Sequence, residues 1–425
     1  MLLILCLLLV VILIYLTEYA YAMVCPNKIF SYFWGIQILV LLIGGYGFLL
    51  FKYTGVIFIL ICLLCFNLAP LVMRGKISYK EFVEIENYIY VDNRKLLYVL
   101  IVFTLLGFYN PIQMIITHGF NLSSLLDFAT LLKVNNSLSV SRYTEHNSAG
   151  LFTQIFLIFS YVSPLLGGFS YVFFLQRKSK IFCLITLTPL LFAGLTQGVK
   201  MGIITSVILF IAGYYVASTL VGNNIVIKFK TILYGLLGAV LLILVLLVSM
   251  MFRIGKFDMS TFNVVTDKFI AYALGHLPAF DIWFDKQIWV PDSLTYGAKM
   301  FAGISNFLGI LKREQGLYLD FTTISTGGSV TNVYTIFRVF IDDFGVILSP
   351  LLFFFMGMFI QYSYVNLRRL LHYRLNSTIC VAFIFMSLWS FVTSVFVYTS
   401  YICMLLLFYG VLCFCTKKIS YEEIA

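Results

Sequence analysis

Arg142, Lys200, Arg253 and Arg338 each stand at or beside the end of a long apolar run. A cation is costly there unless it is paired, hydrated or met by an anionic ligand. Gathered on one face, such a set suits a pyrophosphate, because guanidinium forks grip its oxygens bidentately and a lysine adds a point charge without a metal. Each residue also has a plainer reading. Arg253 and Lys200 can snorkel to headgroups, and Arg338 with Asp342 forms an i,i+4 pair that an ordinary surface ion bridge explains. No metal site is read. His118, His146, His276 and His372 lack ligand spacing, and the Cys62-x-x-Cys65 pair sits in the middle of an apolar run, where small apolar filler is the better reading than zinc or redox chemistry.

The elements that must position these charges follow from composition. The chain has 425 residues, 61% hydrophobic and only 11% charged, which describes a polypeptide whose main solvent is lipid. The expected fold is an all-α, polytopic transmembrane helix bundle of about eleven spans, each needing roughly 20 apolar residues. The runs lie at Leu2 to Thr17, Ile29 to Phe51, Val56 to Met73, Leu96 to Thr117, Asn147 to Leu175, Ile181 to Thr196, Met201 to Thr219, Ile232 to Phe252, Val346 to Val365, Thr378 to Tyr398 and Tyr401 to Cys415. The first run begins Met1-Leu2-Leu3 with no basic segment before it, so it reads as a span and not as a cleaved leader. One integral membrane domain, 1–425, is expected, with a loop and re-entering helix at 253–345 inserted between spans.

Basic residues beside helix ends are retained on the cytoplasmic side. Arg177, Lys178 and Lys180, then Lys228 and Lys230, then Arg368, Arg369 and Arg374, then Lys417 and Lys418 fall on alternate loops, as does the stretch Arg74 to Lys95. All are assigned to the cytoplasm, which puts Gly119 to His146 and Arg253 to Gly328 outside. That large outer stretch holds seven basic and seven acidic residues, so it is neither a nucleic-acid arm nor a basic lipid patch. The net charge of +10 is largely a product of topology, and no nucleic-acid partner is expected. Within the stretch, Ser260 to Phe284 has helical periodicity that Gly275 and Pro278 bend or end. Phe321 to Thr331 reads as extended or looped, and Asn332 is a candidate cap for a helix carrying Arg338, Asp342 and Asp343.

The segment Gly328-Ser329-Val330-Thr331-Asn332-Val333-Tyr334-Thr335-Ile336-Phe337-Arg338, followed by Asp342-Asp343-Phe344-Gly345 and an apolar span, resembles the hallmark stretch of bacterial oligosaccharide repeat-unit polymerases, the Wzy-type O-antigen or capsule polymerases. Gln197-Gly198-Val199-Lys200-Met201-Gly202 at a tight turn and the large outer loop are similar too. Many members of that family carry arginine where this chain has Lys200, which keeps the charge but weakens a bidentate grip. The resemblance implies a metal-independent, lipid-linked glycosyltransferase of the bacterial inner membrane with its active site facing the periplasm. Its substrates would be undecaprenyl-pyrophosphate oligosaccharides, the growing glycan passing from its carrier to the nonreducing sugar of an incoming unit. No cofactor is implied. The lipid bilayer is a partner, and a place is left for a chain-length regulator protein.

Under this reading Arg338, Arg253, Lys200 and Arg142 bind pyrophosphate, and His276, Asp342, Asp343 and Glu145 are the candidates for the base that takes the acceptor's proton. A plainer role stands beside each base: a loop hydrogen bond for His276, and neutralisation of Arg338 for either aspartate. Two other functions stay open. An O-antigen ligase would use the same chemistry on a lipid A core acceptor, and a lipid-oligosaccharide flippase would carry charges buried mid-span and repeat symmetry.

Overall fold

An apolar run in lipid must satisfy its own backbone, and a helix does so within one segment. The computed structural model follows that rule along the chain; it describes residues 1–21, 23–45, 47–73, 87–144, 151–198, 200–223, 229–254, 258–287, 294–312 and 318–420. In chain order come α1 (Leu2–Ala20), α2 (Pro26–Gly44), α3 (Thr54–Met73), β1 (Asn87–Val91), α4 (Asn93–Gly107), α5 (Tyr109–Thr117), α6 (Phe128–Thr144), α7 (Leu151–Phe173), α8 (Arg177–Ile185) and α9 (Thr188–Gln197). They are followed by α10 (Lys200–Leu220), α11 (Phe229–Ile254), α12 (Met259–Leu274), α13 (His276–Gln287), α14 (Ala302–Phe307), β2 (Thr322–Thr323), β3 (Val330–Thr331), α15 (Ile336–Arg368), α16 (Tyr373–Trp389), α17 (Thr399–Cys415) and β4 (Thr416–Ser420).

Eight segments among the described residues are long and apolar enough to cross a membrane: α1, α2, α3, α4 with α5, most of α7, α8 with α9, α10, and α15. The chain is a multi-pass helical membrane protein. The other three expected runs are also helical, in α11, α16 and α17. The run expected to continue to Tyr398 stops as helix at Trp389, and Val395–Val397 forms a separate short 3-10 turn in which the Phe396 amide donates to the Ser394 hydroxyl.

The chain divides into two compact units, Met1–Ile85 with Lys268–Ile402, and Glu86–Asp267 with Cys403–Ala425. In the first, Phe30 of α2, Phe66 of α3, Phe353 of α15 and Phe383 of α16 meet ring to ring, with Phe30 at 5.1, 6.2 and 5.8 Å from the other three centroids. Asn27 donates a 2.9 Å hydrogen bond to the Gly357 carbonyl, tying the start of α2 to α15. In the second unit α7 and α10 cross so closely that a Cβ on Gly213 would lie 2.1 Å from the Leu165 carbonyl oxygen. Only a residue without a side chain permits that approach, the usual device where lipid offers helices no hydrophobic drive to associate. β1 and β4 pair antiparallel in this unit, Tyr90 opposite Lys417, so the ribbon closes the start of α4 against the end of α17.

Three local features of the first unit position its polar residues. Gly275 separates α12 from α13, as its place in the periodic stretch predicts. β2 and β3 form a minimal hairpin that is pinned to the α2–α3 connection by a Leu50 amide to Ile324 carbonyl bond of 2.9 Å. Gly345, at φ 77° and ψ 170°, breaks α15 between an N-terminal piece carrying Arg338, Asp342 and Asp343 and the long apolar piece that follows. The helix begins at Ile336 with Thr335 as N-cap, not Asn332. Asn332 instead donates its side-chain amide to the Tyr318 carbonyl at 3.2 Å, an alternative partner that draws it away from the helix end.

Candidate functional site

Arg338 lies in the first turn of α15, anchored where the Ile336 amide donates to the Ser390 carbonyl at 2.8 Å. Its side chain is only 10% exposed, and burial of a guanidinium demands compensation. Aromatic faces supply part of it. The guanidinium carbon lies 3.8 Å from the centre of the Tyr318 ring, 4.0 Å from Tyr334 and 4.7 Å from Trp283, contacts worth roughly 2 kcal/mol or more when desolvated. Asp320 supplies the rest through a fork: Nη1 donates to Oδ2 at 2.8 Å and Nη2 to Oδ1 at 3.2 Å. The Asp320 side chain is 50% exposed, so the pair presents its carboxylate outward and its cation inward. Burial pushes the Asp320 carboxyl up, but the bonds and charge of Arg338 and the Tyr334 hydroxyl outweigh it, and the net position is below the ordinary carboxylate value. Arg338 Nε is buried with no hydrogen-bond partner among the described residues.

One helical turn further on, Asp342 Oδ2 stands 4.0 Å from that Nε and accepts 3.0 Å bonds from Lys299 Nζ and from the Tyr318 hydroxyl. Two cations, Arg338 and Lys299, are thereby balanced by two carboxylates, Asp320 and Asp342. Beneath them Ala279, Ile324, Tyr334, Tyr318 and Val339 form a buried apolar floor against which Trp283 packs.

Asp343 serves a different purpose. It is fully buried and accepts from the Thr295 hydroxyl, from the Lys299 amide at 3.0 Å and from the Met300 amide at 2.7 Å. Both oxygens hold the turn that brings Lys299 to Asp342, and neither is left for a substrate proton. Asp281 works in the same way on α13: its buried carboxylate accepts the amides of Lys52 and of Tyr53 (3.0 Å), Gly55 (2.6 Å) and Val56 (3.3 Å), where α3 begins with its orphan N–H groups. Burial nevertheless pushes the Asp281 carboxyl above its ordinary value.

His276 is 1% exposed, edge-on to Trp34 at 5.9 Å and to Phe391 at 5.5 Å, and neither ring nitrogen has a hydrogen-bond partner among the described residues. Burial alone drives its pKa down to about 3, so the imidazole is neutral at physiological pH. An aromatic enclosure of this kind does not support the role of a base meeting a solvated hydroxyl.

Among the expected site residues, Arg338, Asp342, Asp343 and His276 belong to the first unit, and Lys200, Arg142 and Arg253 to the second. Arg142 falls in the last turn of α6 and Arg253 in the last turn of α11. Lys200 opens α10 two residues after Gly198, whose left-handed φ of 64° makes the expected tight turn. Glu145 lies outside the described residues. Sequence reasoning assigned no role to Asp320, Lys299, Trp283, Tyr318 and Tyr334; the available signals were that Tyr334 lies inside the Gly328 to Arg338 segment and Asp320 immediately precedes the Phe321 to Thr331 run. Comparison with protein-family models, with curated proteins and with solved structures finds no match for this chain.

Proposed function

We propose that this protein is a lipid-linked glycosyltransferase that polymerises undecaprenyl-pyrophosphate oligosaccharide repeat units at the periplasmic face of a bacterial inner membrane. The observation that carries the reading is the fate of the stretch Tyr318 to Asp343. With Lys299 it packs a caged guanidinium, an ammonium and two carboxylates at the head of a broken apolar helix. Cations preorganised in a poorly solvated site stabilise charge that develops on a leaving group. In the transfer, the acceptor hydroxyl oxygen bonds to the donor's anomeric carbon and its proton passes to a carboxylate. The bond from that carbon to the phosphate oxygen breaks, and the diphosphate leaves with the electron pair. Arg253, Lys200 and Arg142 belong to the other unit, and each is tested by its own substitution.

The experiment is polymerisation of a lipid-linked repeat unit by purified protein in liposomes, read as a ladder of chain lengths. Arg338→Ala is expected to insert normally and lose long products by at least about 100-fold, the cost typical of removing one transition-state donor. Arg338→Lys keeps the charge without the fork and should fall between. A normal ladder from Arg338→Ala and Arg253→Ala together would remove the assignment. Transfer to lipid A core with no ladder would make the protein a ligase, and transbilayer movement of the unit without new glycosidic bonds would make it a flippase.

A further inference from the structure

The guanidinium meant to hold a diphosphate is already gripped by a carboxylate, and the two partners are unequally placed. Arg338 is fixed by three rings and by its backbone on α15, whereas the Asp320 side chain is half exposed and belongs to the segment leading into β2. Asp320 takes both terminal nitrogens, at 2.8 and 3.2 Å, the same end-on geometry a phosphate would use. Nε, which makes no hydrogen bond among the described residues, faces Asp342 Oδ2 at 4.0 Å, so Asp320 holds only the outer end of the fork.

We propose that Asp320 is a carboxylate latch: an incoming lipid diphosphate displaces it from Arg338, and the released carboxylate then takes the acceptor hydroxyl's proton. This rests on the glycosyltransferase reading above. Displacement exchanges one anion for another on the buried cation, so the guanidinium is never left uncompensated. Beside its own backbone amide, the Asp320 carboxylate also accepts from the Tyr334 hydroxyl, at 3.0 Å to Oδ2, and that hydroxyl has Thr322 Oγ1 at 2.7 Å as a ready alternative partner. Asp342 is the poorer base, being 14% exposed and tied to Lys299 and Tyr318. The consequence is order: the base is released only when the donor is seated, so an acceptor or water arriving first meets a carboxylate still clamped.

The steps balance. The proton moves from the acceptor oxygen to an Asp320 oxygen, the new bond joins acceptor oxygen to anomeric carbon, and the bond to the diphosphate breaks with its electrons leaving on phosphate held by Arg338.

Asp320→Asn separates the two halves of the proposal, because it removes the competing anion and the base together. With purified full-length protein and inorganic pyrophosphate as the probe, the variant is expected to bind roughly tenfold more tightly than wild type, since one charge-assisted competitor is gone. In the liposome assay the same variant is expected to lose transfer by about 100-fold or more, the usual contribution of a general base, while Asp320→Glu recovers part of it. A carboxylate with a purely structural role would lower both readouts. Unchanged or weaker pyrophosphate binding by Asp320→Asn overturns the latch, as does an equal gain in Asp320→Asn/Arg338→Gln, which would locate the anion elsewhere. Normal transfer by Asp320→Asn overturns the base. Wild type that forms no polymer refutes the glycosyltransferase reading and the base with it, while the pyrophosphate measurement still decides the latch.

Discussion

Gly345→Ala offers a sharp test of how α15 presents its charged end. The backbone there has φ 77° and ψ 170°, a region that belongs essentially to glycine and costs other residues on the order of 1–3 kcal/mol. Space is not the obstacle. A Cβ at this position would meet nothing nearer than Leu294 Cδ2 at 3.8 Å, an ordinary van der Waals distance. The whole penalty is therefore conformational, and it corresponds to a loss of roughly 5- to 150-fold in the folded-to-unfolded ratio. Asparagine tolerates the left-handed helical region but gains nothing at ψ 170°, so Gly345→Asn should cost about as much as alanine. Equilibrium unfolding in mixed micelles, followed by tryptophan fluorescence, measures the loss. Relief of the strain by straightening α15 would also carry Asp342 and Asp343 away from Lys299 and Met300, so polymer formation should fall in parallel. Stability unchanged within a few tenths of a kcal/mol in both variants would show that the break is not a glycine-dependent feature, and the positioning argument would fail.

Asp343→Ala should destabilise the protein by about 3 kcal/mol, because two amides and a hydroxyl lose a buried acceptor; the same unfolding titration checks it. His276 gives a pH effect of defined sign. Its folded pKa, about 3, lies below the unfolded value of about 6.5, so the unfolded chain binds the extra proton and stability falls as pH drops through that window. Between pH 7 and pH 5 that amounts to about 2 kcal/mol, and His276→Phe, which suits the aromatic surroundings, should flatten this part of the profile. In living cells Arg338→Ala should leave membrane-inserted protein at normal levels while surface polysaccharide collapses to short products, read by gel ladder.

The apolar runs were legible because lipid leaves a spanning segment little choice but helix, and Gly275 and Gly198 were legible punctuation, whereas the break at Gly345 was not read. Arg338, Asp342 and Asp343 were visible as a charged set at helical spacing. Their division of labour was not. Asp342 and Asp343 are neighbours in sequence, yet a helix turns them about 100° apart, so one faces Lys299 Nζ and the other the backbone of the 295–301 turn. Asp320 and Tyr318 reach Arg338 only because the β2–β3 hairpin folds back, a contact of 18 residues' separation with no periodic signature. Asn332 looked like a cap because its side chain suits one, and the Tyr318 carbonyl won it instead.

The pairing of β1 with β4 makes the segment after α17 a fastened one. Thr416 to Ser420 is stitched to Asn87 to Val91, residues translated more than three hundred positions earlier, so the strand ahead of α4 waits for its partner until Thr416 to Ser420 have been made. Truncation before Thr416 would strip both strands of their ladder, and an affinity handle fused directly after Ser420 would begin on the ribbon itself, where a flexible spacer is needed to keep purification from prying the closure open.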